Sequence, residues 1–274
     1  MDIRSAHMDQ TEKTAFRSAT GSAEGISIDI AELEKFTAMA DAWWDAQGKF
    51  RPLHQINPVR LEYVVSELCE HFDLNRDIPQ PLLGLNILDV GCGGGLACEP
   101  LARLGATVTG VDAAAANIPV AKIHAEKSGL DIEYINATVE ELAEKNLRFD
   151  VVLALEIIEH VNEPPAFVRA LGDVVKSDGF IVMSTFNKTP KSFALGILAA
   201  EYILGWLPRG THEWERFVSP TKMEEWVEDQ IGLFMTRNRG MTYNPLSDRW
   251  KLSKDLSCNY LATFKGQDRA ERTS

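Results

Sequence analysis

Short apolar runs alternate with helical segments along the middle of the chain, from Asn86 to Thr185. This alternation is typical of parallel strands joined by crossover helices. Strands in such a sheet are buried on both faces, as the continuous apolar run Val151-Val-Leu-Ala-Leu155 indicates. The pattern predicts an α/β fold with a doubly wound, mostly parallel sheet. The predicted strands are Asn86–Val90, Thr107–Val111, Ile132–Ile135, Phe149–Leu155 and Phe180–Thr185, with helices at Leu96–Leu104, Asn117–Lys127, Val139–Lys145 and Pro165–Val175.

Further elements are predicted on both sides of this core. Apolar residues at helical spacing predict a helix from about Asp29 to Gln47. Asn57 followed by Pro58 is typical of a helix start, which predicts a second helix from there to about Cys69. The elements predicted after the core are the helix Met223–Gln230 and the strands Leu233–Arg239 and Tyr260–Phe264.

The 274 residues are predicted to form one domain over residues 26–265, with the N-terminal helices at 29–70. Residues 1–25 show no periodicity and are predicted to be a flexible tail, and residues 266–274 a C-terminal tail. The net charge of −12 argues against binding to nucleic acid. Neither a signal peptide nor paired cysteine spacing is present, so we expect a cytoplasmic protein.

A glycine-rich turn follows the first predicted strand, in the segment Ile87-Leu-Asp-Val-Gly-Cys-Gly-Gly-Gly-Leu96. Its glycines allow a sharp turn and close approach of the backbone to a ligand. The spacing from Gly91 through Gly93 to Gly95 is G-x-G-x-G, and Leu96 stands where a dinucleotide-binding fingerprint has its third glycine. Three interpretations are open at this point. The segment could be a tight turn that binds no ligand, the site of a dehydrogenase, or a site for a nucleoside ligand other than a dinucleotide.

Two acidic residues indicate which ligand this turn binds. Asp89 lies at the end of the first strand, where its carboxylate would repel a diphosphate but attract a sulfonium and an α-amino group. Asp112 ends the second strand, at about the 20-residue distance at which an acid meets ribose hydroxyls. We therefore predict binding of S-adenosyl-L-methionine by Asp89, Gly91, Gly93 and Asp112.

Several longer blocks resemble the ubiquinone biosynthesis O-methyltransferase family. They include WWDAQGKFRPLHQINPVRLEY, ILDVGCGGG, LEIIEHV, AEYILGWLPRGTHEW and MTYNPLSDRWKL, and the resemblance extends from about Ile30 to Phe264. It implies the class I methyltransferase fold, with seven strands of which the last is antiparallel. It also implies donor contacts at Arg60, Gly91, Asp112 and Leu155. From the residues alone, Arg60 could instead be a solvated charge on a helix.

The segment Glu156-Ile-Ile-Glu159-His160 follows the fourth strand and is the candidate acceptor site. If Glu156 opens a helical turn, all three side chains share one face. His160 could be a general base oriented by a carboxylate. Alternatively, Glu156, Glu159 and His160 could bind Mg²⁺ or another divalent cation that lowers the pKa of a catechol, as the resemblance favours. A structural role for the pair is the third possibility.

An apolar insert lies at about 188–219 and contains Ser192–Leu207. A helix of this length spans only about 24 Å, less than the ~30 Å hydrocarbon core of a bilayer. Lys188 and Lys191 flank it, and Tyr202 and Trp206 are suited to a membrane interface. We expect peripheral contact with anionic lipids on the inner membrane face, with a plain helix over the acceptor pocket as the alternative.

These features together predict an O-methyltransferase that methylates polyprenyl catechol and demethylubiquinol intermediates. Its partners would be this polyprenylated substrate and other quinone-biosynthesis proteins. The alternatives are a class I methyltransferase for a soluble phenol or catechol, and an inactive donor-binding scaffold subunit. The acidic residues Asp89 and Asp112 and the Glu156–His160 cluster argue against an inactive protein.

Overall fold

The computed structural model describes residues 40–194 and 214–266, all within one compact unit, Phe36–Ser274. The predicted tail at 1–25, most of the apolar insert and nearly all of the C-terminal tail lie outside the described residues. The proposed domain limits therefore stay a prediction. Within the two described ranges, no helix has both the length and the apolar character needed to cross a membrane.

The strands form a single eight-stranded sheet with the order β3-β2-β1-β4-β5-β8-β6-β7. The strands are β1 (Asn86–Val90), β2 (Thr107–Asp112), β3 (Glu133–Asn136), β4 (Phe149–Leu155), β5 (Val175–Phe186), β6 (Phe234–Asn244), β7 (Arg249–Ser253) and β8 (Asn259–Lys265). The first five are parallel, and β8 is antiparallel to both β5 and β6. This confirms the predicted doubly wound sheet with an antiparallel last strand.

Helix α1 (Arg51–His71) precedes the sheet. The parallel strands are joined by helices, as the alternating pattern predicts: α2 (Cys98–Arg103), α3 (Asn117–Lys127), α4 (Val139–Glu144) and α5 (Pro164–Val174). Helices α6 (Pro190–Ser192) and α7 (Pro220–Ile231) follow β5, and 3₁₀ turns lie at Ile158–His160 and Trp214–Arg216. Each bound of a predicted core helix agrees with the structure to within two residues. α4 begins with a capping box, in which Thr138 and Glu141 bond each other's backbone N–H groups.

Two hydrophobic clusters cover the two faces of the sheet. Successive residues of one strand belong to different clusters: Ile87 packs with α1, and its neighbour Leu88 packs with α5. Val151 and Val152 divide in the same way. Because side chains alternate across a strand, a strand buried on both faces must be apolar at every position. The continuous apolar runs in the sequence are therefore a direct consequence of this two-sided burial.

The sheet has one strand more than the seven that the resemblance implied. β6 turns back at Asn244 and pairs with β7, with Tyr243 opposite Trp250. The hairpin is held to α1, because Arg51 Nη2 and Gln55 Nε2 donate to Asp248 at 2.8 and 3.1 Å. β7 is an edge strand, so the order of the remaining strands is that of the expected fold.

The second predicted helix begins earlier than Asn57 and Pro58 indicated. Helix α1 starts at Arg51, contains Pro58 in its interior and has Phe50 as its N-cap residue. The Asn57 side chain does not cap the helix, since its Nδ2 donates to the carbonyl oxygen of Leu96 at 2.7 Å. Packing of α1 against the first cluster and the hairpin outweighs the hydrogen bond that proline removes. Before α1, residues 40–44 are helical.

The topology places the ligand-binding edge. The strand order reverses between β1 and β4, and ligands of doubly wound sheets bind beyond the carboxyl ends of strands at such a point. Asp89 of β1 lies opposite Gly110 of β2 and Leu153 of β4. The ends of these three strands therefore bring Asp112, the glycine turn and Leu155 to one edge.

Candidate active site

The glycine turn between β1 and α2 is anchored to the end of β2. The backbone N–H groups of Gly91 and Cys92 both donate to Val111 O, at 2.8 and 3.0 Å. Gly91, Gly93 and Gly95 have positive φ angles of 75°, 54° and 86°. Residues with a Cβ adopt this region only at a cost, so glycine is favoured at these positions.

Asp112 connects the glycine turn to the loop after β2. Its Oδ2 accepts from the backbone N–H of Gly93 at 2.9 Å, and its Oδ1 accepts from that of Ala114 at 2.8 Å. Asn136, at the end of β3, donates to the Asp112 carbonyl oxygen at 2.8 Å. The carboxylate is half-buried at the edge of the sheet. It is oriented by its two backbone donors before any ligand arrives.

Asp89 lies deeper than Asp112, with 3% of its surface exposed. The Cys98 thiol donates to its Oδ2 at 3.2 Å. Burial raises the pKa of the Asp89 carboxyl to about 6, and repulsion from Asp112 adds to this effect. A ligand cation near this carboxyl would stabilise its ionised form.

The glycines are surrounded by protein side chains that sequence reasoning missed. A Cβ added to Gly91 would lie 2.9 Å from Ile157 Cδ1, and one on Gly95 would meet the Tyr134 hydroxyl. Trp43 covers the middle of the turn, where it would collide with a Cβ on either intervening glycine. The glycines are therefore needed for packing within the chain as well as for close approach of a ligand. The sequence signal was that Trp43 belongs to the apolar residues at helical spacing in the first predicted helix, which indicated burial but not contact with the glycine turn.

Glu156 immediately follows β4 but does not open a helix. Its φ is +54°, and its N–H donates to the carbonyl oxygen and the Oγ of Ser184 in β5, at 3.0 and 3.1 Å. The 3₁₀ turn begins only at Ile158. Glu156, Glu159 and His160 therefore do not share a helical face, and that part of the prediction is wrong. The bonds to Ser184 hold Glu156 in the left-handed conformation.

Arg60 from α1 reaches this turn and pairs with Glu156. Their Nη2 and Oε1 atoms lie 3.1 Å apart, with side chains 10% and 17% exposed. The Ser184 hydroxyl also donates to Glu156 Oε1, at 3.0 Å. Arg60 Nε is buried and has no hydrogen-bond partner among the described residues. Arg60 is thus a buried cation, and its Nε–H group is available to bind a ligand at the edge of the sheet where the glycine turn lies.

Glu159 is 3% exposed and its Oε2 accepts from the Thr185 hydroxyl at 2.9 Å. Burial, followed by the charge of Glu156, raises the pKa of Glu159 well above its usual value. His160 ends the 3₁₀ turn, and its side chain is exposed. The acidic pair and the imidazole thus occupy different environments.

The predicted divalent-cation site finds no support in this arrangement. The described residues contain no group of three or more His, Cys, Asp or Glu side chains that could hold a metal ion. Glu156 is engaged by Arg60 and Ser184, Glu159 is buried and bonded to Thr185, and His160 is exposed. The residues present therefore do not fit a three-ligand Mg²⁺ site.

Comparisons with known proteins agree with the fold and with the family resemblance of the sequence. A family model described as a methyltransferase domain matches residues 60–233. The chain is 51% identical to the ubiquinone biosynthesis O-methyltransferase of Dinoroseobacter shibae over 236 residues, which cover 86% of this chain and 95% of the relative. It is 49% identical to the enzyme of the same name from Methylobacterium nodulans, with the same coverage.

Solved methyltransferase structures share the fold. The plantazolicin methyltransferase in complex with a substrate analogue and SAH has a TM-score of 0.58 at 16% identity, covering 85% of this chain and 96% of that one. The magnesium protoporphyrin IX methyltransferase of Synechocystis with bound SAH has a TM-score of 0.54 at 19% identity, covering 94% and 95%. At these identities the likeness is one of fold alone.

Proposed function

This chain belongs to the ubiquinone biosynthesis O-methyltransferase family, and on that premise we propose how its residues divide the reaction between them. It is an S-adenosyl-L-methionine-dependent O-methyltransferase of ubiquinone biosynthesis. The single observation that carries the proposal is the convergence of the glycine turn, Asp112, Arg60 and the Glu156 turn at one edge of the sheet.

The donor would bind along the glycine turn, in contact with the backbone of Gly91 and Gly93. Asp112 would accept from the ribose hydroxyls, since its orientation is set by Gly93 and Ala114. Asp89 would lie under the sulfonium and amino group, where a positive charge favours its ionised form. Leu155, half-buried at the end of β4, would supply an apolar contact.

Arg60 would bind the carboxylate of the donor. Its guanidinium is mostly buried, and its Nε lacks a partner in the described part of the chain. A guanidinium with a spare donor can bind a carboxylate through two parallel hydrogen bonds. Because Glu156 holds the other side of Arg60, the cation would be oriented toward the donor before binding.

Bound S-adenosylmethionine supplies an electrophilic methyl group on sulfur. The chain must align the acceptor oxygen behind that methyl and remove the phenolic proton, whose pKa is near the ~10 of tyrosine. The proposed base is His160, which is exposed at the end of the turn after β4. It takes the proton from the hydroxyl as the C–O bond forms and the C–S bond breaks, leaving a methyl ether and S-adenosylhomocysteine.

The acidic pair has a different task in this proposal. Glu159 is buried and accepts from the Thr185 hydroxyl, which suits it to hold the turn rather than to reach the acceptor as a base. Glu156 orients Arg60. No step is assigned to a divalent cation, because the three predicted ligands do not fit one.

We further propose that the acceptors are polyprenyl catechol and demethylubiquinol intermediates, reached from the inner face of the membrane. The names of the relatives, which specify ubiquinone biosynthesis, support an isoprenoid quinone precursor. Tyr202 and Trp206 in the apolar insert support contact with the membrane interface, whereas Lys188 and Lys191 at its start bind Glu215 O and Asp255 Oδ2 at 2.7 and 2.6 Å. Other quinone-biosynthesis proteins would be neighbours on that surface.

The test is methylation of a prenylated catechol by the purified chain, using a donor labelled in its methyl group. Label is expected in the ether product with the chain alone, with or without a chelator. Loss of turnover in chelator, restored by Mg²⁺, would contradict the metal-free assignment. Turnover restricted to water-soluble phenols would contradict the polyprenyl acceptor. An Asp112→Ala variant serves as the donor-site control, since its expected loss lies in donor binding.

A further inference from the structure

The segment before α1 packs directly on the glycine turn. The indole N–H of Trp44 donates to the carbonyl oxygen of Gly94 at 3.0 Å. The ring of Trp43 lies so close to the turn that a Cβ on Gly93 would be 2.9 Å from Trp43 Cη2, and one on Gly94 would be 2.8 Å from Trp43 Cδ2. The ring of Trp43 therefore lies against both Gly93 and Gly94, and the neighbouring Trp44 is hydrogen-bonded to Gly94.

Each of the two indole rings stacks on another aromatic side chain. Trp43 stacks on Phe50, with ring centroids 3.9 Å apart and planes 11° from parallel. His54 Nε2 donates to the Trp43 carbonyl oxygen at 2.8 Å. Trp44 stacks on His124 of α3, with centroids 3.7 Å apart. The pair is thus held by α1 on one side and by α3 on the other.

The same turn is also bonded to the residue that we assign to the ribose. Gly93 N–H donates to Asp112 Oδ2 at 2.9 Å. The Gly93–Gly94 backbone is therefore held both by Asp112 and by the two indoles. We propose that Trp43 is a positioning residue for donor binding, which holds the Gly93–Gly94 backbone in the conformation that the methyl donor requires. This inference rests on the proposed donor site and extends it to a residue outside the sheet.

Gly94 offers a direct way to test this. Unlike its neighbours Gly91, Gly93 and Gly95, it does not have a positive φ, so alanine is compatible with its backbone conformation. The atoms nearest to an added Cβ all belong to Trp43. An alanine at position 94 would therefore disturb the turn only because Trp43 occupies that space.

The experiment is a double-mutant cycle of Gly94→Ala and Trp43→Ala, read by calorimetric titration with S-adenosylhomocysteine. We expect each single variant to bind about tenfold more weakly than the unmodified chain. In the Trp43→Ala background, Gly94→Ala should then add less than about twofold, because the collision is gone. Trp43→Phe, which keeps a ring on the turn, should recover most of the affinity.

Kinetics separate positioning from a general loss of structure. For Trp43→Ala, KM for the donor should rise, while kcat and KM for the acceptor at saturating donor stay close to those of the unmodified chain. Gly172→Ala is the matched control, since its Cβ would collide with Ile231 in the helical layer of the other cluster. It should lower the melting temperature without changing donor affinity.

Each result decides a separate question. Equal costs of Gly94→Ala in both backgrounds, or unchanged affinity in Trp43→Ala, would overturn the role of Trp43 while leaving the donor site intact. An unmodified, folded chain that binds no S-adenosylhomocysteine would overturn the donor site itself, and this inference with it.

Discussion

Replacing Glu156 by Gln tests how the Arg60 guanidinium is shared between this chain and the donor. In the structure Glu156 Oε1 lies 3.1 Å from Arg60 Nη2 and also accepts from the Ser184 hydroxyl. Glutamine keeps an oxygen in that place but removes the negative charge. The variant therefore leaves Arg60 as a buried cation without a compensating charge from Glu156.

The size of the effect follows from burial. Breaking a fully buried ion pair costs about 3–5 kcal/mol. Here the side chains are 10% and 17% exposed, and glutamine retains hydrogen bonds to Arg60 and Ser184, so we expect a loss of about 1–3 kcal/mol. For a domain of this size that lowers the melting temperature by about 2–12 °C.

The donor should reverse much of this loss. If the donor carboxylate binds Arg60, it supplies the charge that Glu156→Gln removes. Saturating S-adenosylhomocysteine should then raise the melting temperature of the variant by more than it raises that of the unmodified chain. The assay is thermal unfolding of both proteins, with and without this ligand at the same free concentration, well above its dissociation constant.

The matched control is Glu225→Gln, which removes the exposed i,i+3 pair between Lys222 and Glu225. Exposed pairs of this kind contribute little to stability, so no measurable shift is expected. Equal ligand-induced shifts in Glu156→Gln and the unmodified chain would refute the reasoning, because they would mean that the donor carboxylate does not compensate Arg60.

Three further substitutions test the other assigned roles. For Asp89, burial raises the folded-state pKa to about 6 from ~3.9 in the unfolded chain, so the unfolded state binds fewer protons between these values and stability falls by about 2 kcal/mol as the pH rises from 4 to 6. Asp89→Asn should abolish that fall in urea unfolding, and an unchanged pH dependence would contradict it. Asp112→Asn keeps one oxygen to accept from the backbone N–H of Gly93 or Ala114 and loses the other. It should weaken S-adenosylhomocysteine binding about 10–100-fold in a calorimetric titration. An affinity equal to that of the unmodified chain would count against the ribose contact. His160→Gln should lower kcat by about 100-fold or more near neutrality and by less as the pH approaches ~10, where a phenol ionises without a base; an unaltered pH–rate profile would remove His160 from the mechanism.

Much of the fold could be predicted from local pattern. The parallel strands from β1 to β4 begin and end within a residue of their predicted limits, and the clearest of them, β4, has the continuous apolar run that burial on both faces demands. The glycine turn and Asp112 could also be found, since their spacing follows from a strand, a turn and the next strand. The hairpin of β6 and β7 could not, because β7 is an edge strand of mixed polarity without an apolar run.

The amino-acid sequence alone determined the sheet, the glycine turn with Asp112, and the family. The sheet and the turn depend on periodicity and spacing over short stretches of chain, and the family on the resemblance of longer sequence blocks. Tertiary structure decided that Trp43 presses on Gly94, that Arg60 pairs with Glu156, and that Glu156 is bonded to Ser184 instead of opening a helix. Each of those contacts joins residues from separate elements, and only the packing of helices against the sheet brings such residues within reach of one another.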